Sequence, residues 1–252
     1  MKLQLFVTAA VVATALSAPA FAAEPTGSVG LSAGRTDLEV GPINAEGDGY
    51  ALDGNVAFQA SPNWTVTLAG AAVTTDDNAG DDTVFSASAA ATYNGAGWRA
   101  GPFVSASEVS DETLWAVGGV VQHDVSEKVT LAAAAGYGQV DGFNADLWGA
   151  KGEVRYFVSD TFRVDGGLGW SQIDGGGADA DFWTAGVGGE YQFAGTPWSI
   201  TGGYEHSSSD DLDLTADTVK LGVRLSFGGD LKARDRSGAD LGSVTNLFGA
   251  LQ

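Results

Sequence analysis

Residues 217–229 read DTVKLGVRLSFGG and alternate without a slip: Val219, Leu221, Val223, Leu225 and Phe227 on one side, Lys220, Gly222, Arg224 and Ser226 on the other. A strand of period two is half-buried, with one apolar face and one face that tolerates charge. In a soluble sandwich the apolar face packs into a core and the charges meet solvent. In a transmembrane barrel the apolar face meets lipid and the charges point into a wet lumen. The stretch admits both readings, and the rest of the chain must choose.

The chain begins MKLQLFVTAAVVATALSAPAFA, with one lysine, an apolar run from Leu3 to Leu16, a break at Ser17 to Pro19, and Ala20-Phe21-Ala22. This is the pattern of a secretory signal peptide, and its apolar run is too short to span as a helix. Residues 1–22 are therefore expected to be removed. Removal takes Lys2 and no acid, so the net charge of −20 becomes −21. Such acidity excludes nucleic acid as a natural partner. There is no cysteine, which excludes disulfide frameworks and thiolate metal sites. No later segment offers about 18 consecutive apolar residues, so any membrane crossing has to be made by strands closed into a barrel.

From Ala23 onward there is no linker, low-complexity block or sequence repeat, and 37 glycines are spread through the chain. Twelve alternating segments recur, at 26–35, 48–58, 63–74, 83–93, 97–107, 113–123, 128–139, 146–157, 161–171, 181–193, 197–207 and 216–227. Their connections alternate between two kinds. ASPN, NGAG, VSEK, VSDT and AGTP are short and carry tight-turn residues. TDLEVGPINAEGD, TTDDNAGDD, SEVSDE, VDGFNAD, SQIDGGGADAD and SSSDDLDLTAD are longer and acidic. An even strand count puts both chain ends on the short-turn side, which in an exported barrel is the periplasm.

Aromatic residues gather where lipid headgroups begin. Phe58, Trp64, Tyr93, Trp98, Tyr156, Phe157, Phe162, Tyr191, Phe193, Trp198 and Phe227 lie beside short turns. Tyr50, Phe85, Trp115, Tyr137, Phe143, Trp148, Trp170, Phe182, Trp183 and Tyr204 lie near the long connections, while the strand middles hold Gly, Ala, Val and Leu. A sandwich would place its aromatics in mid-strand instead. The predicted fold is all-β: a twelve-stranded antiparallel up-and-down transmembrane β-barrel over residues 23–229, with a periplasmic tail at 230–252. In that tail Leu241, Val244, Phe248 and Leu251 can form one helical stripe. A disordered extension, a contact for a periplasmic partner and a plug entering the barrel all remain open for it.

Lys220-x-Gly222-x-x-Leu225-x-Phe227 resembles the terminal-strand signal of Gram-negative outer-membrane barrel proteins, although 25 further residues follow it here. The resemblance implies an outer-membrane location, lipid and lipopolysaccharide as surroundings, and recognition of Lys220, Gly222, Leu225 and Phe227 by the barrel assembly machinery. Lys220 and Arg224 then meet water inside the barrel.

The same parity turns Arg99, Lys151, Glu153, Arg155, Arg163, Asp165, Glu190 and Gln192 inward, among small residues such as Ser86, Ser88, Thr130, Thr184, Ser199 and Thr201. A twelve-stranded barrel lies between those filled by side chains and those that hold a channel. With so many small inward residues, the expectation is a water-filled pore tuned by its charges. The competing expectation is a plug of ion pairs. The arginine pattern and the size resemble the small twelve-stranded porins for acidic oligosaccharides. That resemblance implies passive diffusion of small polar or anionic solutes, with weak anion preference at the neck.

Two further readings compete. His206 and Ser208 share the lipid-facing parity, and a hairpin centred near residue 211 sets Asp217 opposite His206. Serine, histidine and acid at the outer rim is what a lipid ester hydrolase needs. The arrangement resembles the His-x-Ser of outer-membrane phospholipase A and lipid A deacylases, with Ser209 where those families place Asn. The other histidine, His123, has no nucleophile in register. A closed structural or adhesive barrel acting through its acidic loops is the second alternative. The clusters Asp76, Asp77, Asp81, Asp82 and Asp174, Asp179, Asp181 lack the calcium-loop pattern and read as solvated negative loops. No metal or cofactor is predicted.

Overall fold

The computed structural model describes residues 24–77, 80–109, 112–140, 145–175 and 178–248. The expected signal peptide at 1–22, Phe143 and Leu251 lie outside the described residues. Twelve strands, each antiparallel to its sequence neighbours, close into a barrel when the first pairs with the last. They are β1 Thr26–Val40, β2 Ile43–Ser61, β3 Trp64–Asp77, β4 Gly80–Gly95, β5 Trp98–Val109, β6 Glu112–Ser126, β7 Val129–Val140, β8 Ala145–Ser159, β9 Phe162–Gly175, β10 Ala178–Gln192, β11 Trp198–Ser209 and β12 Leu214–Phe227. Closure removes every sheet edge, as a lipid environment requires of backbone polar groups.

The long acidic connections expected from the sequence are mostly strand. TDLEVGPINAEGD continues β1 to Val40 and resumes β2 at Ile43, so Gly41 and Pro42 alone make the turn. The apolar alternation stops at the membrane edge, but the antiparallel ladder does not. Thr, Ser, Asp and Glu pair their backbones equally well where both faces are wet. The sheet therefore extends beyond the apolar band on that side. On the other side three hairpins carry a register shift just before the turn, at Gln59/Ser61, Asp124/Ser126 and Phe157/Ser159.

The outer face is apolar. Leu221, Leu168 and Val187 are 69%, 68% and 63% exposed, values that lipid contact accounts for. Five strands carry an outward aromatic pair eight positions apart: Tyr50 and Phe58, Phe85 and Tyr93, Trp148 and Tyr156, Phe162 and Trp170, Trp183 and Tyr191. Eight residues at about 3.3 Å each span about 26 Å, or about 20 Å across a bilayer for a strand tilt of about 40°. Ring contacts join neighbours within each girdle, as in Trp64–Tyr93–Trp98 and Trp115–Tyr137–Trp148. Two residues of the expected girdles, Phe157 and Phe182, are instead buried inside. Phe157 follows the outward Tyr156, and adjacent strand residues face opposite ways.

After β12 the chain turns back into the barrel. Helix α1, Leu231–Ser237, starts at Asp230, whose side chain accepts from the Ala233 N–H at 2.8 Å, and ends at Gly238 in the left-handed region. A 3-10 turn, Ala239–Leu241, and helix α2, Gly242–Thr245, follow. Leu241, Val244 and Phe248, three of the expected stripe, are buried with Phe103, Leu114, Ala132 and Leu147 in one apolar cluster. Residues 230–248 therefore lie in the lumen: α1 and the 3-10 turn reach β1–β3, β9 and β12, and residues 241–248 pack on the β4–β8 wall.

Candidate functional site: the lumen and its occupant

All nine charged residues placed inward by parity belong to faces that line the lumen, because direct cross-strand partners share a face and each set alternates with exposed apolar neighbours. Between the tail and the walls formed by β1–β6 and β8–β12 is a cavity of about 700 Å³, lined largely by Gly, Ala, Ser and Thr together with Asp53, Lys151, Glu153, Asp165, Lys220 and Arg224. Glycine keeps this wall flat enough for charged side chains to lie along it. A Cβ on Gly188 would stand 2.6 Å from Asp165 Oδ2, and one on Gly30 would stand 2.7 Å from Asp53 Oδ1.

The cavity reaches down to Arg155, Arg163, Glu190, Arg224 and Asp240. Below that level Ser28, Thr92, Gln122, Thr130, Phe157, Ser199 and Ser226 are buried beneath α1 and the turn after it. The lumen is a cup closed at the short-turn end. Its floor is built by α1 and the turn after it, and residues 241–248 run on along the wall to Phe248, which lies against Gly138 and Gly149 near the long connections.

Ion pairs seat that floor. Arg155 contacts Glu153 at 2.7 Å and Asp235 at 2.6 Å, and also donates to the Asp240 carbonyl and the Ser243 hydroxyl. Arg163 contacts Asp240 at 2.6 Å and Asp165 at 3.2 Å. The tail's Arg234 contacts Glu190 at 2.7 Å and donates to Ser226 Oγ at 2.6 Å. Arg224 pairs with Asp53 at 2.7 Å. Arg99 donates to the carbonyls of Arg236 and Ser237, which places a cation at the C-terminal end of α1, where helix carbonyls lack partners. Gln122 donates to the Asp235 carbonyl at 3.0 Å. Burial opposes ionisation of Asp240, a tail residue, but Arg234, Arg163 and Arg155 more than offset it and hold the carboxyl well below the usual range.

Glu153, Arg155, Arg163, Asp165, Glu190 and Arg224 thus join one network. Lys151 and Lys220 line the cavity and make no ion pair among the described residues. Asp53, Arg234, Asp235 and Asp240 were not singled out from the sequence. Asp53 was legible by parity, since Leu52 beside it faces out. The tail acids were hidden because their partners lie 77 and 80 positions away.

At the outer rim His206 Nδ1 lies 2.9 Å from Asp217 Oδ1, and the Tyr204 hydroxyl donates to the same carboxylate. His206 and Asp217 are direct cross-strand partners, while Ser208 stands opposite Thr215 and makes no hydrogen bond with His206 among the described residues. The pair is a clasp between β11 and β12. Of the terminal-strand residues, Gly222, Leu225 and Phe227 pair with Ser32, Val29 and Gly27 of β1, and Lys220 with Gly34, so they form the seam that closes the barrel.

No family model matches the chain, and no curated protein matches it. Solved structures do. The COG4313 outer membrane channel from Pseudomonas putida F1 aligns with a TM-score of 0.59 at 12% identity, over 80% of this chain and 96% of that one. The NanC porin aligns at 0.57 and 10% identity, over 78% and 100%. A Pseudomonas aeruginosa FadL homologue aligns at 0.52 and 10% identity, over 81% and 90%. At these identities the likeness is one of fold: this chain has the barrel fold of outer-membrane channels and porins.

Proposed function

We propose that the protein is an outer-membrane channel for passive diffusion of small polar solutes, anionic ones included, inserted after loss of residues 1–22. The observation that carries this is the pairing of an apolar, aromatic-girdled exterior with a glycine-rich interior that encloses about 700 Å³ beside charged groups. A barrel built only as an anchor has no need of a wall kept flat by glycine. Lys151 and Lys220, free of ion pairs among the described residues, supply the charge that a passing anion meets. The fold shared with channels supports the same reading.

The test is single-channel conductance of the refolded chain in a planar bilayer under a salt gradient. Discrete, reproducible steps are expected. To allow for the lumenal tail, the same measurement is made on full-length Asp235→Asn/Asp240→Asn, in which the seat of the tail is weakened. Absence of current from folded protein whose tail has been shown to be accessible overturns the channel.

A further inference from the structure

We propose that residues 230–248 are a tethered gate: they close the channel at its short-turn end and withdraw through the mouth by which they entered. The inference rests on the channel reading above and adds its regulation.

The gate is separable from the barrel it closes. All twelve strands are paired with each other, so withdrawal exposes no sheet edge. Among the described residues one backbone hydrogen bond joins tail to strand-side turns, from Lys232 N to the Asp160 carbonyl at 3.1 Å, and the remaining polar seat is made by side chains. The tether is Gly228–Gly229, both at positive φ, +79° and +146°, positions that glycine adopts without strain. It leaves β12 at the short-turn mouth. The tail can therefore withdraw by that mouth, its end sliding back along the wall from Gly138 and Gly149.

The seat has two parts of different character. At the rim Lys232 pairs with the exposed Asp160 at 2.7 Å, and Arg236 donates to the Ser126 carbonyl at 2.7 Å. Inside, Arg155 and Arg163 hold Asp235 and Asp240. The tail charges sum to zero, with Asp230, Asp235 and Asp240 against Lys232, Arg234 and Arg236. Beneath the tail Ala69, Ala132, Ala134, Gly136 and Gly149 alternate with the larger Phe103, Leu114 and Leu147. Its departure leaves a groove that joins the cavity to the mouth.

The chain has no cysteine, so a single engineered pair can lock the gate. Ser88 Oγ on β4 and Thr245 Oγ1 on α2 are 2.9 Å apart, so Ser88→Cys/Thr245→Cys sets two thiols side by side across the seat for oxidation to a disulfide. The full-length double variant is refolded, its barrel checked by heat-modifiable gel mobility, and its conductance recorded oxidised and then reduced. At least a tenfold rise in open probability on reduction is expected. Equal conductance in the two states overturns the gate and leaves the channel standing. If both states are silent, the full-length Asp235→Asn/Asp240→Asn protein decides. Current from it supports the gate. Silence with the tail still protected from protease shows a permanent plug and overturns the gate, whereas silence with the tail cleavable overturns the channel itself.

Discussion

Arg155 sits on a strand with 1% of its surface exposed, and it holds Glu153 from its own strand and Asp235 from the tail at the same time. Removing one partner of a buried pair leaves the other charged and unsolvated, at a cost of about 3–5 kcal/mol. Arg155→Met is therefore expected to unseat the tail while leaving the barrel ladder intact. The check is limited proteolysis in micelles: cleavage after Lys232, Arg234 and Arg236 becomes rapid, while the rest of the chain stays protected. Unchanged protection would mean that the apolar contacts of Leu241, Val244 and Phe248 hold the tail alone. At the outer rim the His206–Asp217 contact is read as a clasp, so Ser208→Ala is expected to leave any lipid ester cleavage by the purified protein at its starting level. A fall to background would instead make Ser208 a nucleophile. The direction of each inward side chain was legible in the sequence, because period two forces parity once one lipid-facing residue is known. The destination of Asp235 and Asp240 was not, because nothing local to GDLKARDRSGAD indicates which distant arginines complete it.

At the scale of elements, β5 carries an interrupted seam. Between Ala90↔Phe103 and Tyr93↔Ala100 no residue pair joins β4 to β5, and Pro102 in that interval has no N–H to give. The two strands nonetheless approach so closely that a Cβ on Gly101 would stand 1.9 Å from the Ala91 carbonyl oxygen. Backbone cannot yield there as a side-chain tip could. Gly101→Ala is expected to destabilise the barrel by about 2 kcal/mol or more, measured as a lowered urea midpoint for unfolding from vesicles. The tail gives the opposite kind of prediction. Asp240 has a lowered pKa, so its contribution is present above the ordinary carboxylate range and is lost only as pH falls through its much lower folded value. The groups facing it, Arg155, Arg163, Arg224 and Arg234, stay charged throughout. Open probability is therefore expected to be flat from about pH 8 down to about pH 4. A transition inside that range would show that a group other than Asp240 governs the seat. Strand number and order were readable from apolar alternation. Strand length was not, since the ladder outlasts the alternation wherever both faces meet water, as at Thr36 to Val40.

For the whole molecule, selectivity is a contest between depth and rim. Arg155, Arg163 and Arg224 each keep a wall carboxylate, Glu153, Asp165 and Asp53, when the tail is out, which leaves Lys151 and Lys220 as the cavity cations without an ion pair among the described residues. The rim carries the excess of acid that gives the chain its net charge of −20. Charges at an open rim are screened within about 3 Å at 1 M salt but reach about 10 Å at 0.1 M, while those in a narrow lumen are screened less. In the open state the channel is thus expected to prefer anions at high salt and to drift toward cations as salt is lowered. Lys151→Ala/Lys220→Ala should remove the high-salt anion preference and leave the low-salt drift in place, read as a shift in reversal potential under a fixed salt ratio. Anion preference that survives the double substitution would assign the neck to Arg155 and Arg163, freed of Asp235 and Asp240 when the tail withdraws. In that case the gate would set which ions pass as well as when they pass.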